Sequence, residues 1–143
     1  MSGEKPDSRL DEVEQQLMAR MRQIYSERTL DHAMRPRNVG RIENADSFAR
    51  ITGPCGDTME IYLKVDGERV ADAKFWTDGC GTTIACGSVV TELVKGKTIV
   101  EVNKIDSTRI LDVLEGLPES NVHCAVLAAN TLKTAIQNFL NRK

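Results

Sequence analysis

The sequence predicts an α+β domain in which a three-stranded antiparallel sheet carries helices on one face. Strand patterns are confined to residues 47–77, and the chain after them has helical periodicity, an order that is typical of this fold class. Asp66-Gly67 separates two of the strand patterns and is a strong hairpin signal, so those two strands are expected to pair antiparallel. A chain of 143 residues is long enough to bury one core beside such a sheet.

The three strands are predicted from apolar residues at alternate positions. Segment 47–52 is short and mixed, whereas segment 59–65 alternates cleanly between apolar and polar side chains. Segment 70–77 is expected to turn one set of side chains towards the core. That set consists of Ala71, Ala73 and Phe75.

The residues before the sheet have the helical period of three to four. Its apolar positions are Leu10, Val13, Leu17, Met21, Ile24 and Leu30. We expect one long amphipathic helix packed on the core, capped by Asp7 or Ser8 and preceded by a loose tail over residues 1–9. The alternative is that its first half forms an exposed docking or dimerisation surface. Residues 1–22 are interpreted as an N-terminal extension, tail plus helix, of a domain that spans residues 23–143.

Helical segments also follow the sheet. We predict a helix over 84–94, a single turn at 99–103, a helix over 107–114 with Ser107 as its cap, and a last helix that begins within 121–124. Gly116-Leu117-Pro118 interrupts the pattern before the last helix.

Composition and charge exclude several classes of function. The net charge is −2 and basic residues are not clustered, which argues against binding to nucleic acid. No apolar run approaches the roughly 18 residues of a membrane span. The first residues are polar and acidic, unlike a secretory signal or a transit peptide, so we expect a cytoplasmic location and no membrane partner.

Four cysteines carry the chemical interest of the chain: Cys55, Cys80, Cys86 and Cys124. In a reducing compartment they favour metal binding or thiol chemistry over structural disulfides, and none of their spacings is C-x-x-C. Cys80 lies between two glycines at a predicted strand-to-helix turn, where the helix dipole favours the thiolate.

Three of these cysteines occupy similar places, in loops or at the start of a helix. Cys55 lies in the turn between the first two strands, Cys80 follows the third strand, and Cys124 begins the last helix. Three thiolates together with Asp57 or His123 form a suitable ligand set for a soft metal. Periodicity alone leaves open whether these residues meet.

Several motifs, in this order, resemble the family of iron–sulfur cluster assembly scaffolds of the IscU and NifU N-terminal type. The resemblance covers residues 25–143. The matching segments are Tyr25 to His32, Pro36 to Gly40, Cys55-Gly56-Asp57, Gly79-Cys80-Gly81 through Ala85, Val90 to Lys97, and His123-Cys124 followed by Leu127-Ala128. The family has a three-stranded sheet with helices on one face, in agreement with the pattern above.

This resemblance implies a non-enzymatic scaffold. It accepts persulfide sulfur from a cysteine desulfurase, collects iron, assembles a transient [2Fe–2S] cluster and transfers it to acceptor proteins. By resemblance, Cys124 is the persulfide acceptor, and the ligands come from the set Cys55, Cys80, Cys124, Asp57 and His123. A fourth ligand of oxygen or nitrogen in place of sulfur makes one corner of the cluster weaker and easier to release. The resemblance also implies that the site can hold Zn²⁺ when no cluster is bound. Ferredoxin or frataxin-like proteins are further partners that it suggests.

The chain departs from the family pattern in three ways. Cys86 stands where a small polar residue is usual. Leu117-Pro118 is all that remains of a segment read by an Hsp70-type chaperone, which weakens the case for that partner. The N-terminal extension adds more than twenty residues before Tyr25.

Two alternatives to the scaffold remain. One is a zinc-bound sulfur acceptor of the SufU kind, although His123 is present and that subgroup's insertion is absent. The other is a thiol oxidoreductase that uses Cys80 and Cys86.

Overall fold

Three antiparallel strands form the sheet of this protein, whose computed structural model describes residues 8–142, with side chains from Asp11 onward. The strands are β1 (Ser47–Thr52), β2 (Thr58–Asp66) and β3 (Arg69–Thr77), in the spatial order β1-β2-β3. Both pairings are antiparallel, and Asp66 pairs with Arg69 across the hairpin turn. The sheet predicted from the sequence is confirmed.

Helices lie before and after the sheet along the chain. They are α1 (Ser8–Ile24), α2 (Glu27–Met34), α3 (Gly81–Val94), α4 (Ile99–Val102), α5 (Ser107–Val113) and α6 (Val122–Asn141), with a 3-10 turn at Glu119–Asn121. α6 packs on β1 and β2, and α3 packs mainly on β3, beside α6. The predicted α+β class, with helices on one face of the sheet, is therefore confirmed.

The core lies between the sheet and helices α3 and α6. Met59, Ile61 and Leu63 on β2 alternate towards the helices and are fully buried, as the period of two requires. Phe75 continues this layer on β3. The packing is closest at Gly87 of α3, where an added Cβ would lie 2.4 Å from the Phe75 ring. Only glycine allows α3 to approach β3 this closely, and this contact fixes the position of the helix.

The prediction that Ala71 faces the core is wrong. Lys64 pairs with Asp72 and Val65 pairs with Val70, so Ala71 is an extra residue on β3 at a bulge. A bulge reverses the alternation on its far side. Val70 is therefore fully buried and Ala71 is exposed.

The expected single helix over residues 10–30 is also wrong, because the chain breaks between α1 and α2. Ser26 is the N-cap of α2: its backbone is extended, and its hydroxyl accepts a hydrogen bond from the Thr29 amide. The Ser26 hydroxyl in turn donates to the carbonyl of Leu114, which ties the break to the end of α5.

The apolar residues of α1 do not lie on the core. Val13 is 59% exposed, Leu17 55% and Ile24 60%. The structure thus favours the alternative of an exposed surface. The helix already begins at Ser8, within the expected tail, while residues 1–7, including the proposed cap Asp7, lie outside the described part of the chain.

Two smaller findings complete the fold. The cap of α5 is Asp106, whose carboxylate accepts from the Arg109 amide, and not Ser107 as expected. Within residues 8–142, no helix has both the length and the apolar character to cross a membrane.

Candidate functional site

The Cys80 thiol lies at the N-terminus of α3, where Cys80 is the N-cap residue. Its Sγ lies 3.1 Å from the Thr82 hydroxyl and 3.7 Å from the Thr83 hydroxyl, and the residue is exposed. Partial burial is the largest influence on its pKa and opposes ionisation. Hydrogen bonds from the hydroxyls and amides of Thr82 and Thr83 together outweigh it and lower the pKa to about 7. The expected thiolate character of Cys80 has a physical basis here.

Cys124, in the first turn of α6, faces the same two hydroxyls. Its Sγ lies 3.4 Å from Thr82 Oγ1 and 3.3 Å from Thr83 Oγ1. The residue is only 1% exposed, and burial raises the pKa of this thiol, with a further contribution from the nearby Cys80 and Asp57. Two cysteines more than forty residues apart thus share one pair of threonines, but only Cys80 is accessible.

Asp57 reaches the same place from the loop between β1 and β2. Its Oδ2 accepts a hydrogen bond of 2.9 Å from Thr83 Oγ1. Gly79 allows this approach, since an added Cβ would lie 2.7 Å from both Asp57 Oδ2 and Thr83 Cβ. The glycine before Cys80 therefore keeps space for the carboxylate, in addition to allowing the turn.

Cys55 and His123 lie on another side of this group, where both line a groove of about 230 Å³ between the β1–β2 loop and α6. Both residues are exposed. His123 Nε2 lies 3.7 Å from Cys124 Sγ, which connects the groove to the buried thiol. No hydrogen bond in the described part of the chain joins Cys55 to the other candidates.

The predicted four-ligand site is therefore assembled only in part. Among residues 8–142, no three His, Cys, Asp or Glu side chains are close enough together to hold a metal ion in the arrangement seen. The residues that meet are Cys80, Cys124 and Asp57, through their shared hydroxyls, with His123 beside Cys124. Thiolate, carboxylate and imidazole are side-chain types that bind metal ions in other proteins.

Sequence reasoning missed the hydroxyl residues that organise the site, Thr82 and Thr83. Asn121 belongs with them, because its side-chain amide donates to Thr82 Oγ1 at 3.2 Å. The signal was present in Cys80-Gly81-Thr82-Thr83, since hydroxyls two and three residues after a helix cap lie next to the cap's own side chain.

Cys86 is fully buried in α3, and burial raises the pKa of its thiol. Six helical residues separate it from Cys80, an axial distance of about 9 Å at 1.5 Å per residue. A disulfide requires Cα atoms less than about 7 Å apart. The structure therefore speaks against the oxidoreductase alternative and agrees with Cys86 as a buried substitute for a small residue.

A cavity of about 160 Å³ opens beside Cys80, and Met21 and Tyr25 also line it. The other histidine, His32, is buried in α2 with Nδ1 2.7 Å from Ser88 Oγ. This buried contact gives His32 a structural role.

Proteins of a known family are similar to this chain along most of its length. The family model described as the NifU-like N terminal domain matches residues 24–143. The scaffold protein IscU 1 of Archaeoglobus fulgidus is 45% identical over 120 residues, which cover 83% of this chain and 78% of that protein. The iron-sulfur cluster assembly scaffold protein IscU of Escherichia coli K12 is 42% identical over 124 residues, 83% of this chain and 96% of the relative.

Solved structures show the same fold. A putative scaffold protein for the SUF system from Fervidobacterium islandicum AW-1 superposes with a TM-score of 0.68 at 26% identity, covering 80% of this chain and 97% of the other. The N-terminal part of a NifU-like protein from Brucella abortus gives a TM-score of 0.66 at 21% identity, over 84% and 96% of the two chains, and shows the fold alone. By the family match and the identity to these relatives, this chain belongs to the NifU-like N-terminal domain family.

Proposed function

We propose that this protein is a scaffold on which iron–sulfur clusters are assembled, and that it holds and releases its cargo without being an enzyme. The observation that carries the proposal is the convergence of Cys80, Cys124 and Asp57 on the hydroxyls of Thr82 and Thr83. Relatives at 42–45% identity over most of the chain are named as iron–sulfur cluster assembly scaffold proteins.

The proposed cargo is a [2Fe–2S] cluster with Cys55, Cys80 and Cys124 as thiolate ligands. Asp57 and His123 compete for the fourth position. Asp57 is linked to Cys124 through the Thr83 hydroxyl, whereas His123 is the direct neighbour of Cys124 at 3.7 Å. Both present a ligand that is not sulfur, which suits a cluster meant to leave. Cys55 lies on an exposed loop and completes the set when that loop closes on the cluster.

Sulfur is proposed to arrive as a persulfide on a cysteine desulfurase, with Cys124 as acceptor. The Cys124 thiolate attacks the outer sulfur of the enzyme's persulfide, a new S–S bond forms on Cys124, and the enzyme's cysteine leaves as a thiolate. In this structure Cys124 is buried and its pKa is raised, so the step requires the desulfurase to uncover it. His123 Nε2 is close enough to take the thiol proton.

The direct test is anaerobic reconstitution with Fe²⁺, cysteine, a cysteine desulfurase and a thiol reductant that supplies the electrons for reducing persulfide sulfur to sulfide, followed by absorption and Mössbauer spectroscopy. A scaffold develops the spectrum of a [2Fe–2S] cluster, and replacement of Cys55, Cys80 or Cys124 by serine abolishes it. Cys86→Ser is the matched control, because that thiol is fully buried in the core and is not among the proposed ligands, and it should reconstitute normally. Failure of the unmodified chain to form a cluster would overturn the proposal.

A second candidate is a zinc-bound sulfur acceptor that receives persulfide without building clusters. The likeness to the SUF-system protein, at a TM-score of 0.68, supports this candidate only through the shared fold, because that protein is itself named as a putative scaffold. The thiols and His123 also fit the preference of Zn²⁺ for sulfur and nitrogen. Metal analysis of the protein purified without oxygen separates the two: bound zinc that accelerates desulfurase turnover, with no cluster after reconstitution, selects the sulfur acceptor.

The remaining parts of the proposal concern partners and location. The partners are a cysteine desulfurase and iron–sulfur acceptor proteins, with ferredoxin or frataxin-like proteins as suppliers of electrons or iron. We propose a cytoplasmic site of action, since all four cysteines are free thiols and that compartment keeps them reduced.

A further inference from the structure

The side chain of Asn121 does not cap the helix that it precedes. Asn121 is the N-cap residue of α6, a position where asparagine usually accepts a hydrogen bond from an amide of the first turn. No such bond from its own helix is present. Its Nδ2 instead donates to Thr82 Oγ1 of α3 at 3.2 Å, and its Oδ1 accepts from the Ser120 hydroxyl at 3.4 Å. The amide therefore joins two helices and does not stabilise the start of its own.

Asn121 lies in the segment where this chain departs from the family pattern. Leu117-Pro118 is all that remains there of the segment read by a chaperone, and the proposed function leaves residues 119–121 without a role. The contact between Asn121 and Thr82 connects this segment to the candidate site, and it suggests what the segment contributes here.

Thr82 is the neighbour of both central sulfurs of the site. Its side chain is buried, and its Oγ1 lies 3.1 Å from Cys80 Sγ and 3.4 Å from Cys124 Sγ. A hydroxyl accepts through two lone pairs and donates one hydrogen. The Asn121 amide occupies one lone pair, which leaves one lone pair and one hydrogen for the two sulfurs. With Asn121 in place, Thr82 can bond to both sulfurs only by accepting from one and donating to the other.

The starts of two helices meet at this hydroxyl. Cys80 is the N-cap residue of α3, and Asn121 precedes α6 three residues before Cys124. Rotation of the Thr82 side chain to another rotamer would carry its hydroxyl away from the sulfurs, and the bond from Asn121 opposes that rotation.

We propose that Asn121 is a positioning residue of the candidate site, whose amide holds the Thr82 hydroxyl against both sulfurs and thereby keeps Cys80 and Cys124 side by side. This inference rests on the proposed function, in which both cysteines hold one cluster, and it adds a residue that acts through Thr82. Its test is made without a cluster, so that the two can fail separately.

The reagent dibromobimane, which bridges neighbouring thiols, tests the proposal on the full metal-free chain. After a first reaction at Cys80, the tethered reagent either closes onto Cys124 or is captured by added thiol, and mass spectrometry of digests gives the bridged fraction. Asn121→Leu keeps the branched shape of the side chain but has no N–H to donate. It should lower the bridged fraction by a factor of about 3–10, the range expected for one lost hydrogen bond. Because neither iron nor a desulfurase is needed, a chain that fails to assemble clusters can still give this result.

The effect of Asn121 should pass through Thr82. Thr82→Val keeps the shape of the side chain and removes the hydroxyl, so by itself it should lower the bridged fraction. Addition of Asn121→Leu to Thr82→Val should then cause no further loss. Two losses that multiply in the double variant would show that Asn121 acts independently of Thr82, and would overturn the proposal.

A capping variant separates positioning from stability. Asp106→Ala removes the capping bond of α5 to the Arg109 amide, so it should lower the free energy of unfolding in urea and leave the bridged fraction unchanged. Asn121→Leu should do the reverse, because it removes no capping bond. The proposal is overturned if the unmodified chain does not bridge Cys80 to Cys124, and equally if Asn121→Leu bridges them as well as the unmodified chain.

Discussion

Thr83 donates a hydrogen bond from Oγ1 to Oδ2 of Asp57, at 2.9 Å, and the same oxygen lies 3.3 Å from Cys124 Sγ. A hydroxyl has one hydrogen, so Thr83 can donate to only one of its three neighbours, Asp57, Cys80 and Cys124, at a time. The buried Thr83 side chain thereby connects the β1–β2 loop to helices α3 and α6. The protonation of Cys124 is coupled to the position of Asp57 through this contact.

Thr83→Val tests this connection, because valine has nearly the same shape and lacks the hydroxyl. The Thr83 hydrogen bond lowers the pKa of the Cys80 thiol, so its loss should raise that pKa and slow alkylation of Cys80 at pH 7 by a factor of about 2–5, given tenfold per pKa unit. Thr83→Ser retains the hydroxyl and serves as control. Equal alkylation rates in the valine and serine variants would show that Thr83 has no electrostatic role.

The reactivity of Cys80 should depend on pH in the metal-free protein. Since its pKa is about 7, the thiolate fraction and the iodoacetamide rate should rise through pH 7, below the range of an ordinary cysteine. Cys124 and Cys86 should react more slowly, because burial raises both pKa values and covers both thiols. Mass spectrometry of timed digests measures each site separately. Cys124 labelled before Cys80 at neutral pH would contradict the assignment.

Asp57→Ala should make an assembled cluster longer-lived, several-fold when measured as loss of cluster absorption to a chelator. This expectation follows from the proposal that the Asp57 carboxylate competes for the labile corner of the cluster and promotes ligand exchange there. Asp112→Ala, an exposed aspartate on α5, is the control for the loss of one negative charge. If the cluster on the Asp57→Ala variant is lost at the same rate as the cluster on the unmodified protein, Asp57 is not the fourth ligand. His123 is then the next candidate for that position.

Local patterns were sufficient to predict the sheet and most helix positions, because alternation and helical period are visible within a few residues. The break at Ser26 was missed because Leu30 continues the apolar period of α1, although the cap Ser26 accepts from Thr29 three residues later. The bulge at Ala71 could not be read from its own strand, since it is defined by the pairing with β2.

The sequence suggested the cysteines of the candidate site, but it did not predict the hydroxyl contacts between Cys80 and Cys124. Cysteine in a glycine-flanked turn is a distinctive signal, whereas a threonine in the first turn of a helix is ordinary. The shared hydroxyls of Thr82 and Thr83, and the unequal burial of Cys80 and Cys124, depend on how α6 meets α3. That contact joins residues more than forty positions apart, beyond the reach of local pattern.

Gly87→Ala should destabilise the fold markedly. The added methyl would lie 2.4 Å from the Phe75 ring, and α3 would have to move away from β3. We expect the free energy of unfolding to fall by about 2 kcal/mol or more, since overpacking a core costs more than the helix propensity that alanine gains. Gly81→Ala is the matched control in the same helix, because its Cβ meets only Ala33 at 3.8 Å. Equal stability of the two variants in urea unfolding would contradict the close approach.

Glu60 stabilises the outer face of the sheet in a way that should depend on pH. Its side chain is only 6% exposed, Arg41 Nε donates to it at 3.0 Å, and Arg50 also contacts it. Burial is the largest influence and raises its pKa, but hydrogen bonds from Tyr62, Arg41 and Arg50 together outweigh it, so the folded-state pKa lies below the ordinary value of 4.5.

A carboxyl with a lowered folded pKa contributes stability that is fully present above its unfolded pKa and is lost as pH falls through the folded pKa. Glu60→Gln should therefore lower the free energy of unfolding at pH 7 by about 1–2 kcal/mol. This range is kept small because both arginines are about half exposed, so that water screens their attraction to Glu60. The difference from the unmodified protein should shrink below about pH 4.5. Glu43→Gln, at an exposed position, controls for the loss of charge and should show no such dependence. A destabilisation by Glu60→Gln that stays constant from neutral to acidic pH would show that packing, and not the ionised carboxylate, accounts for it.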